Sequence, residues 1–359
     1  MGECLLSVAV SPDWEGLVNC ILRRGTPARV HHIEQTIDKK VLHRIAKRYG
    51  LLDGLDPDDS YMELRCTLST HRFLGYDYVP CDVDGLKMPM KRIRGEDSGA
   101  DGRQYMEEHK GPITSWEEFE AYPWPDPSRL STRSLEWYEA NLPDDMCVAA
   151  GGALGHFLAW TTFLMGYETL CYALYDNRDL VVAIVERLTE IFKSCLTRML
   201  AFRRVQIVWG KDDMGFRSGT LIAPADLREL FLPGHKLLAG MCHAVGRPYL
   251  LHSDGNISAI LDDLIDDVGI DARHGIEDAV EDVVSAKRRY GHRIALLGGI
   301  DVDFLCRADC DQIRRRVRQV LEQCMPGGGY CLGTGNSVPD YMPLENYLTM
   351  LDEGRKFRP

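Results

Sequence analysis

The residues with chemistry in this chain gather in short polar motifs, each set at the end of an apolar run. The clearest is His252-x-Asp254. His252 closes the run Arg247-Pro248-Tyr249-Leu250-Leu251-His252, and Asp254 lies in the turn Ser253-Asp254-Gly255-Asn256. An imidazole ending a buried strand and a carboxylate heading the next helix can point into one mouth. The arrangement recurs along the chain. Glu34 ends residues 30–34, Asp82 and Asp84 follow 77–81, and Gly151, Gly152 and His156 follow 147–150. Asp212 and Asp213 follow 205–209, His274 and Glu277 follow 270–272, Asp301 and Asp303 follow 293–297, and Thr334, Asn336 and Ser337 follow 330–332. Carboxylates and imidazoles concentrated in this way suit a hard or borderline cation, zinc taking nitrogen and oxygen ligands in a tetrahedral set.

Each residue also has a plainer reading. Asp254 and Asp301 stand in turns, where aspartate is common for its local backbone bonds. His156, on an otherwise apolar segment, fits a core histidine, and Asp212-Asp213 fits a helix-capping pair. Other chemistries find no pattern. The sequence contains no G-x-S-x-G elbow, no H-E-x-x-H, no Walker A loop and no G-x-G-x-x-G opening a helix. Ser253 adjoins His252, but adjacency in sequence is not the geometry a nucleophile and its base require.

The elements that must position these groups read as alternating strands and helices. After the strand ending at His252, Ile257, Ile260, Leu261, Leu264, Ile265 and Val268 share a helical face, with Asn256 as a cap and Gly269 as a stop. Helices are also predicted over 279–290, 179–202 and 224–245, the last beginning near Pro224 and kinked or split at Pro233. A further helix turns Ile313, Val317, Val320, Leu321 and Cys324 inward and stops at Gly327-Gly328-Gly329. Strands at 30–34, 77–81, 147–150, 205–209, 247–252, 270–272, 293–297 and 330–332 make eight. Eight strands in this rhythm predict a (β/α)8 TIM barrel, with an open doubly wound sheet as the alternative fold. The whole of 1–359 reads as one domain. The polar, Gly-, Pro- and Asp-rich stretch 84–130 reads as an insertion over the barrel mouth. Its Trp116, Tyr122 and Trp124 would form a lid or pin the insertion to the barrel.

Composition narrows the function classes. The 359 residues carry 42 basic and 54 acidic side chains, net −12, which disfavours non-specific nucleic-acid binding and attraction to anionic membranes. With 45% hydrophobic and 27% charged residues the chain is an ordinary globular one. No apolar run reaches the length of about 18 residues that a membrane helix needs. Met1-Gly2-Glu3-Cys4-Leu5-Leu6 has no basic region ahead of an apolar run, and Gly2 with Ser7 misses the myristoylation spacing. A cytoplasmic protein is expected. The 12 cysteines are scattered rather than spaced as a disulfide framework, and most are expected to be buried thiols.

Several motifs together resemble the uroporphyrinogen decarboxylase superfamily. They are Leu251-His252-Ser253-Asp254-Gly255-Asn256, Leu261-Asp262-Asp263-Leu264-Ile265, Gly269-Ile270-Asp271-Ala272 and Lys287-Arg288-Arg289-Tyr290-Gly291 before Gly298-Gly299-Ile300-Asp301. Gly327-Gly328-Gly329-Tyr330, Asn336-Ser337, Pro343-x-Glu345-Asn346 and, near the start, Arg24-Gly25-x-Pro27-x-Arg29-Val30 belong to the same resemblance. It spans roughly residues 20 to 350 and implies a (β/α)8 barrel.

One branch of the superfamily decarboxylates uroporphyrinogen without a cofactor and holds its carboxylates with an arginine-rich segment after the position of Val30. Here that segment reads His31-His32-Ile33-Glu34-Gln35-Thr36, with no arginine. A substrate with many carboxylates needs several fixed cations, and bidentate arginine is the natural one. The other branch comprises cobalamin-dependent methyltransferases and the methyltransferase components of O-demethylases, typically with zinc on a His-x-Cys pair and a later Cys. This chain has His252-x-Asp254 in the first place and Gly335-Asn336 near the second, so both thiolates are missing. The resemblance thus implies a hard-ligand zinc site of His252, Asp254 and another carboxylate, Glu277 or Asp213. Zinc there would act as a Lewis acid on an ether oxygen of a small methoxylated substrate. The methyl group would pass to a corrinoid on a separate protein, since no D-x-H-x-x-G motif is present. In this reading His252, Asp254, Asp213 and His156 are catalytic. Asn336, Glu34, Asp212 and Trp124 contact substrate, and a homodimer is left open. The alternatives are a metal-free carboxy-lyase and a non-catalytic barrel that binds a tetrapyrrole or corrinoid.

Overall fold

The computed structural model describes residues 6–56, 58–94, 104–106 and 109–358, so the readings made on Met1 to Leu5 lie outside the described residues. Seven short strands form one parallel sheet in chain order: β1 Tyr78–Pro80, β2 Cys147–Ala150, β3 Val205–Lys211, β4 Tyr249–His252, β5 Ala272–His274, β6 Ala295–Leu297 and β7 Tyr330–Cys331. Each strand lies beside the one before it, so every connection must cross over, and helices supply the crossovers. Most of their residues are apolar and buried, as expected of strands covered on both faces, with Lys211, His252, Arg273 and His274 as the charged or polar exceptions toward the carboxyl ends.

The helices follow the predicted periodicities. Arg178–Leu200 buries Leu180, Ile184, Leu188, Ile191, Cys195 and Met199. Cys310–Cys324 buries Ile313, Val317, Val320, Leu321 and Cys324, and starts in a capping box between Asp309 and Gln312. The helix predicted over 279–290 is shorter, Val283–Tyr290, because Asp282 caps it by accepting from Val284 N and Ser285 N. Pro233 does not break its element. The chain widens into a π-helical turn at Leu227–Phe231 and continues as Leu232–His243. A proline deprives the carbonyl four residues back of its donor and crowds it, and the wider turn just ahead relieves both.

Residues 30–34 do not form the predicted first strand. Only His32 pairs, in parallel, with Tyr76 on one side and Leu332 on the other. Ile33 N donates to Leu332 O at 2.8 Å, and Leu332 N donates to His31 O at 2.9 Å. The ladder stops at Glu34 because the Tyr78 hydroxyl takes its backbone, accepting from Glu34 N at 2.8 Å and donating to Glu34 O at 2.6 Å. The sheet is thus curled until strands near both of its edges reach one residue. The fold is α/β, with a curled parallel sheet like that of a TIM barrel.

The stretch 84–130 is clamped at its base, where Asp84 and Ser131 exchange backbone hydrogen bonds. It carries a small antiparallel pair, Arg92–Arg94 with Gln104–Met106. Further along, Gly111 N and Ile113 N donate to Met165 O and Leu164 O, at the end of the helix Phe157–Met165. The described cysteines are free thiols, most of them buried. Among the described residues no helix is long and apolar enough to cross a membrane.

Candidate functional site

Three neighbouring strands end in one row. Lys211 of β3 is in register with His252 of β4, and His252 with His274 of β5. Residues in register on parallel neighbours point to the same side of the sheet, so all three side chains enter the same mouth. His252 Nδ1 and His274 Nδ1 lie 2.8 Å apart, and His274 Nε2 lies 3.2 Å from Thr334 O. The carbonyl only accepts, so His274 carries its proton on Nε2. Burial, with the charge of His252, holds the His274 imidazolium well below the usual histidine range. His274 is therefore neutral, and its Nδ1 lone pair accepts from His252 Nδ1–H. That assignment leaves His252 Nε2 to face the carboxylates, 3.3 Å from Asp254 Oδ1 and 3.5 Å from Asp213 Oδ1.

Asp213, His252 and Asp254 offer one nitrogen and two oxygens within 4.8 Å of one another. Their loops hold each other in place. Asp254 N donates to Asp213 Oδ1 at 3.2 Å, and Asn336 Nδ2 donates to Asp254 Oδ2 at 2.8 Å. Asp254 Oδ1 is buried and has no hydrogen-bond partner. Gly255 has φ +74°, and a Cβ there would fall 2.4 Å from the Gly215 carbonyl carbon, so only glycine lets this turn lie against the loop after β3. Burial pushes Asp254 above the usual carboxylate range, with the charge of Asp213 adding to it. Burial would raise Asp213 too, but the hydrogen bond and charge of His252 and the Asp254 amide outweigh it, leaving Asp213 below its ordinary value.

The other predicted site residues are placed as follows. Of the two carboxylates expected to join His252 and Asp254, Asp213 lies within this cluster and Glu277 stands outside it. Glu277 is raised by burial and by Asp254, and it lines a cavity of about 560 Å³ with Asp301, Asn336, Ser337 and Tyr341. His156 precedes the helix Phe157–Met165, with Nε2 3.3 Å from Gly152 O, and burial lowers it. Asp212 is fully buried and turned to that helix. It accepts from Leu158 N and Ala159 N, both at 2.9 Å, and meets His235 Nε2 at 3.1 Å, so its oxygens are occupied and the capping reading describes it. Glu34 is buried against Thr334, accepting from its N at 2.9 Å and its Oγ1 at 2.5 Å, and burial pushes it up to about 8. Trp124 is packed away from the mouth. It stacks edge-on with Phe119 and Tyr122, donates to Phe119 O at 3.1 Å and lies under Arg187 of the helix Arg178–Leu200. It pins the insertion to that helix.

Sequence reasoning missed Lys211 and Trp209. Both line a second cavity of about 490 Å³ beside the His252 row, with Asp82, Tyr78 and Tyr138 among the other walls. The signal was present: Val205-Gln206-Ile207-Val208-Trp209-Gly210-Lys211 is an apolar run closed by a cation. Asp82, singled out at a strand end, commits one oxygen locally, Oδ1 accepting from both Gly151 N and Gly152 N.

Comparisons with known proteins complete the description. Residues 106–357 match the family model for uroporphyrinogen decarboxylase (URO-D). A curated uroporphyrinogen decarboxylase from Nitrosospira multiformis is 30% identical over 123 residues, 33% of this chain and 32% of that protein. The match thus spans about a third of the relative's length. Among solved structures, a methyltransferase from Methanosarcina mazei superposes with a TM-score of 0.67 at 16% identity, covering 95% of this chain and 97% of that one. At that identity the likeness speaks for the fold.

Proposed function

We propose a function from a premise the family match establishes: the chain belongs to the uroporphyrinogen decarboxylase family. Within it, this member is an enzyme of the corrinoid-dependent methyltransferase type, an O-demethylase component that moves a methyl group from a small methoxylated substrate to a corrinoid protein. The curled sheet is taken as a (β/α)8 barrel closed by the segment around His32. The observation that carries the functional reading is the His252 nitrogen aimed between two carboxylates, one of which keeps a buried oxygen that accepts no hydrogen bond. That oxygen, with the imidazole nitrogen beside it, is a fitting donor set for zinc. His252, Asp254 and Asp213 would hold the ion, which supplies Lewis acidity to an ether oxygen.

The chain's own residues do the rest. His274 and Thr334 fix the ring of His252, and Asn336 fixes Asp254. His156 and Glu277 flank the cluster. The test is metal content of protein purified without chelator or histidine tag, wild type beside Asp254→Ala, with methylation of reduced cobalamin by aryl methyl ethers as the second readout. About one zinc per chain, lost in the variant, is the expected result. Wild-type protein that takes up no metal and methylates no cobalamin overturns the reading.

A metal-free carboxy-lyase is the second reading, favoured by one observation. Asp254 and Glu277 are both raised by burial in the same mouth, as acid catalysts must be. It predicts release of CO₂ with no change at cobalt.

A further inference from the structure

We propose that the cavity beside the His252 row is an anion subsite, in which Lys211 Nζ and Trp209 Nε1 take the carboxylate of an aromatic acid. Trp209, Lys211 and Asp213 are alternate residues, so they climb one face of β3 and its extension in steps of about 6.6 Å. The first two supply only donors. Trp209 Nε1 is buried with no hydrogen-bond partner, although its residue is just 4% exposed. Lys211 Nζ has three hydrogens to give. It reaches Thr36 Oγ1 at 3.3 Å and forms no ion pair among the described residues. A buried indole donor left unmade is costly, and with a half-buried ammonium in the same cavity it calls for an acceptor with more than one oxygen.

The acidic neighbours answer only part of that demand. Asp82 Oδ1 is taken by the Gly151 and Gly152 amides, Asp82 and Asp213 attract Lys211 without reaching ion-pair distance, and Glu63 pairs with His43 at 3.1 Å. Space for a ligand is kept open by Gly152, where a Cβ would come 3.0 Å from Asp82 Oδ2 and 3.7 Å from Lys211 Nζ. Tyr78, Tyr138, Leu64 and Pro80 give the cavity apolar walls suited to a ring. The subsite also adjoins the reacting groups. Trp209 meets the ring of His274 edge-on at 5.3 Å, and His274 in turn holds His252. A carboxylate on Lys211 would thus leave the far side of a small ring near His252 and Asp254. This deepens the methyl-transfer reading and rests on it only for the group that reacts; the anion binding stands separately.

Calorimetric titration of the purified full chain with 4-methoxybenzoate and its neutral isostere 4-methoxybenzamide tests the assignment. Wild type should bind the acid at least 10-fold more tightly than the amide. Lys211→Met should abolish that preference with the amide affinity unchanged, Lys211→Arg should keep part of it, and Trp209→Phe should weaken the acid several-fold. Unchanged thermal unfolding of the variants separates loss of binding from loss of fold. Equal affinity for the two probes, a preference that survives Lys211→Met, or no saturable binding of either probe overturns the subsite. An acid preference without methylation of cobalamin by any aryl methyl ether removes the methyl-transfer reading and leaves the subsite. Methylation by neutral ethers without that preference does the reverse.

Discussion

In the helix Leu344–Lys356, Asp352 accepts from Ser7 N and Oγ at 3.1 Å, from Lys356 Nζ at 2.6 Å and pairs with Arg314 at 2.8 Å. In the mouth, Asp254 has one oxygen on Asn336 and the other, buried, facing only the ring of His252 at 3.3 Å with no hydrogen bond. Beside Asp352, Glu353 is equally provided for, with Arg318 at 2.5 Å and Arg314 at 3.2 Å. Beside Asp254, Trp209 Nε1 is orphaned and Lys211 is unpaired among the described residues. The consequence shows in acidity. Burial would push Asp352 up, but Lys356, Arg314 and Ser7 hold it at about 2, whereas burial prevails at Asp254 and raises it. The two regions bury the same residue types. One saturates its charges from within the chain and braces the fold. The other shares one imidazole between two carboxylates and leaves a buried indole donor without a hydrogen bond.

The contrast can be broken by mutation. His252→Ala should remove bound zinc and cut methyl transfer at least 100-fold, with a cost of about 1–2 kcal/mol in urea unfolding, because the buried ring also packs against His274. Asp352→Ala should act on the fold alone. It removes the buried carboxylate that joins Ser7, Arg314 and Lys356 and costs about 2 kcal/mol, with zinc stoichiometry intact. Loss of zinc in Asp352→Ala, or global unfolding of His252→Ala, would erase the distinction.

Acidity sharpens the contrast with opposite signs. Glu34 rises from 4.5 to about 8 on folding. The native protein then keeps a proton that the unfolded chain releases, and its contribution to stability is lost as pH climbs through that interval. The slope is at most about 1.4 kcal/mol per unit. Glu34→Gln should flatten it in denaturation series at several pH values. Asp352, lowered from 3.8 to about 2, contributes above pH 3.8 and fades as pH falls toward 2, so Asp352→Asn should flatten only the acid limb. The mildest expected effect belongs to Asn336→Ala. Freeing Asp254 Oδ2 should weaken zinc about 10-fold in competition with a chelator.

Much of this was legible beforehand, for identifiable reasons. His252 and Asp254 are two residues apart, so strand and turn alone deliver them together. The helices at 178–200 and 310–324 announce themselves by unbroken apolar faces. What was hidden depends on contacts between distant segments. Whether Asp213 or Glu277 joins His252 is decided by how two loops lean, with Asp254 N reaching back to Asp213. Asp212 and Asp213 are adjacent and opposite in fate, one turned to the amides of the helix Phe157–Met165 and one to the mouth. For Trp124 composition alone leaves lid and pin equal, and only its stacking on Phe119 and Tyr122 beneath Arg187 shows the pin. Residues 30–34 carry the right composition for a strand, yet a side-chain hydroxyl from Tyr78 displaces the ladder.

The double pairing of His32 also sets a timetable. One of its partners, Tyr76, is near in sequence, but the other, Leu332, belongs to a seam where Glu34 and Thr334 meet across 300 residues. During synthesis at about 5–20 residues per second, the far side of that seam emerges roughly 15–60 s after the near side. Throughout that interval His31, His32 and Glu34, all buried in the finished protein, have half of their surroundings missing. The growing sheet meanwhile carries an unpaired edge of the kind that invites wrong partners. The segment before β1 is thus satisfied only once the segment after β7 exists.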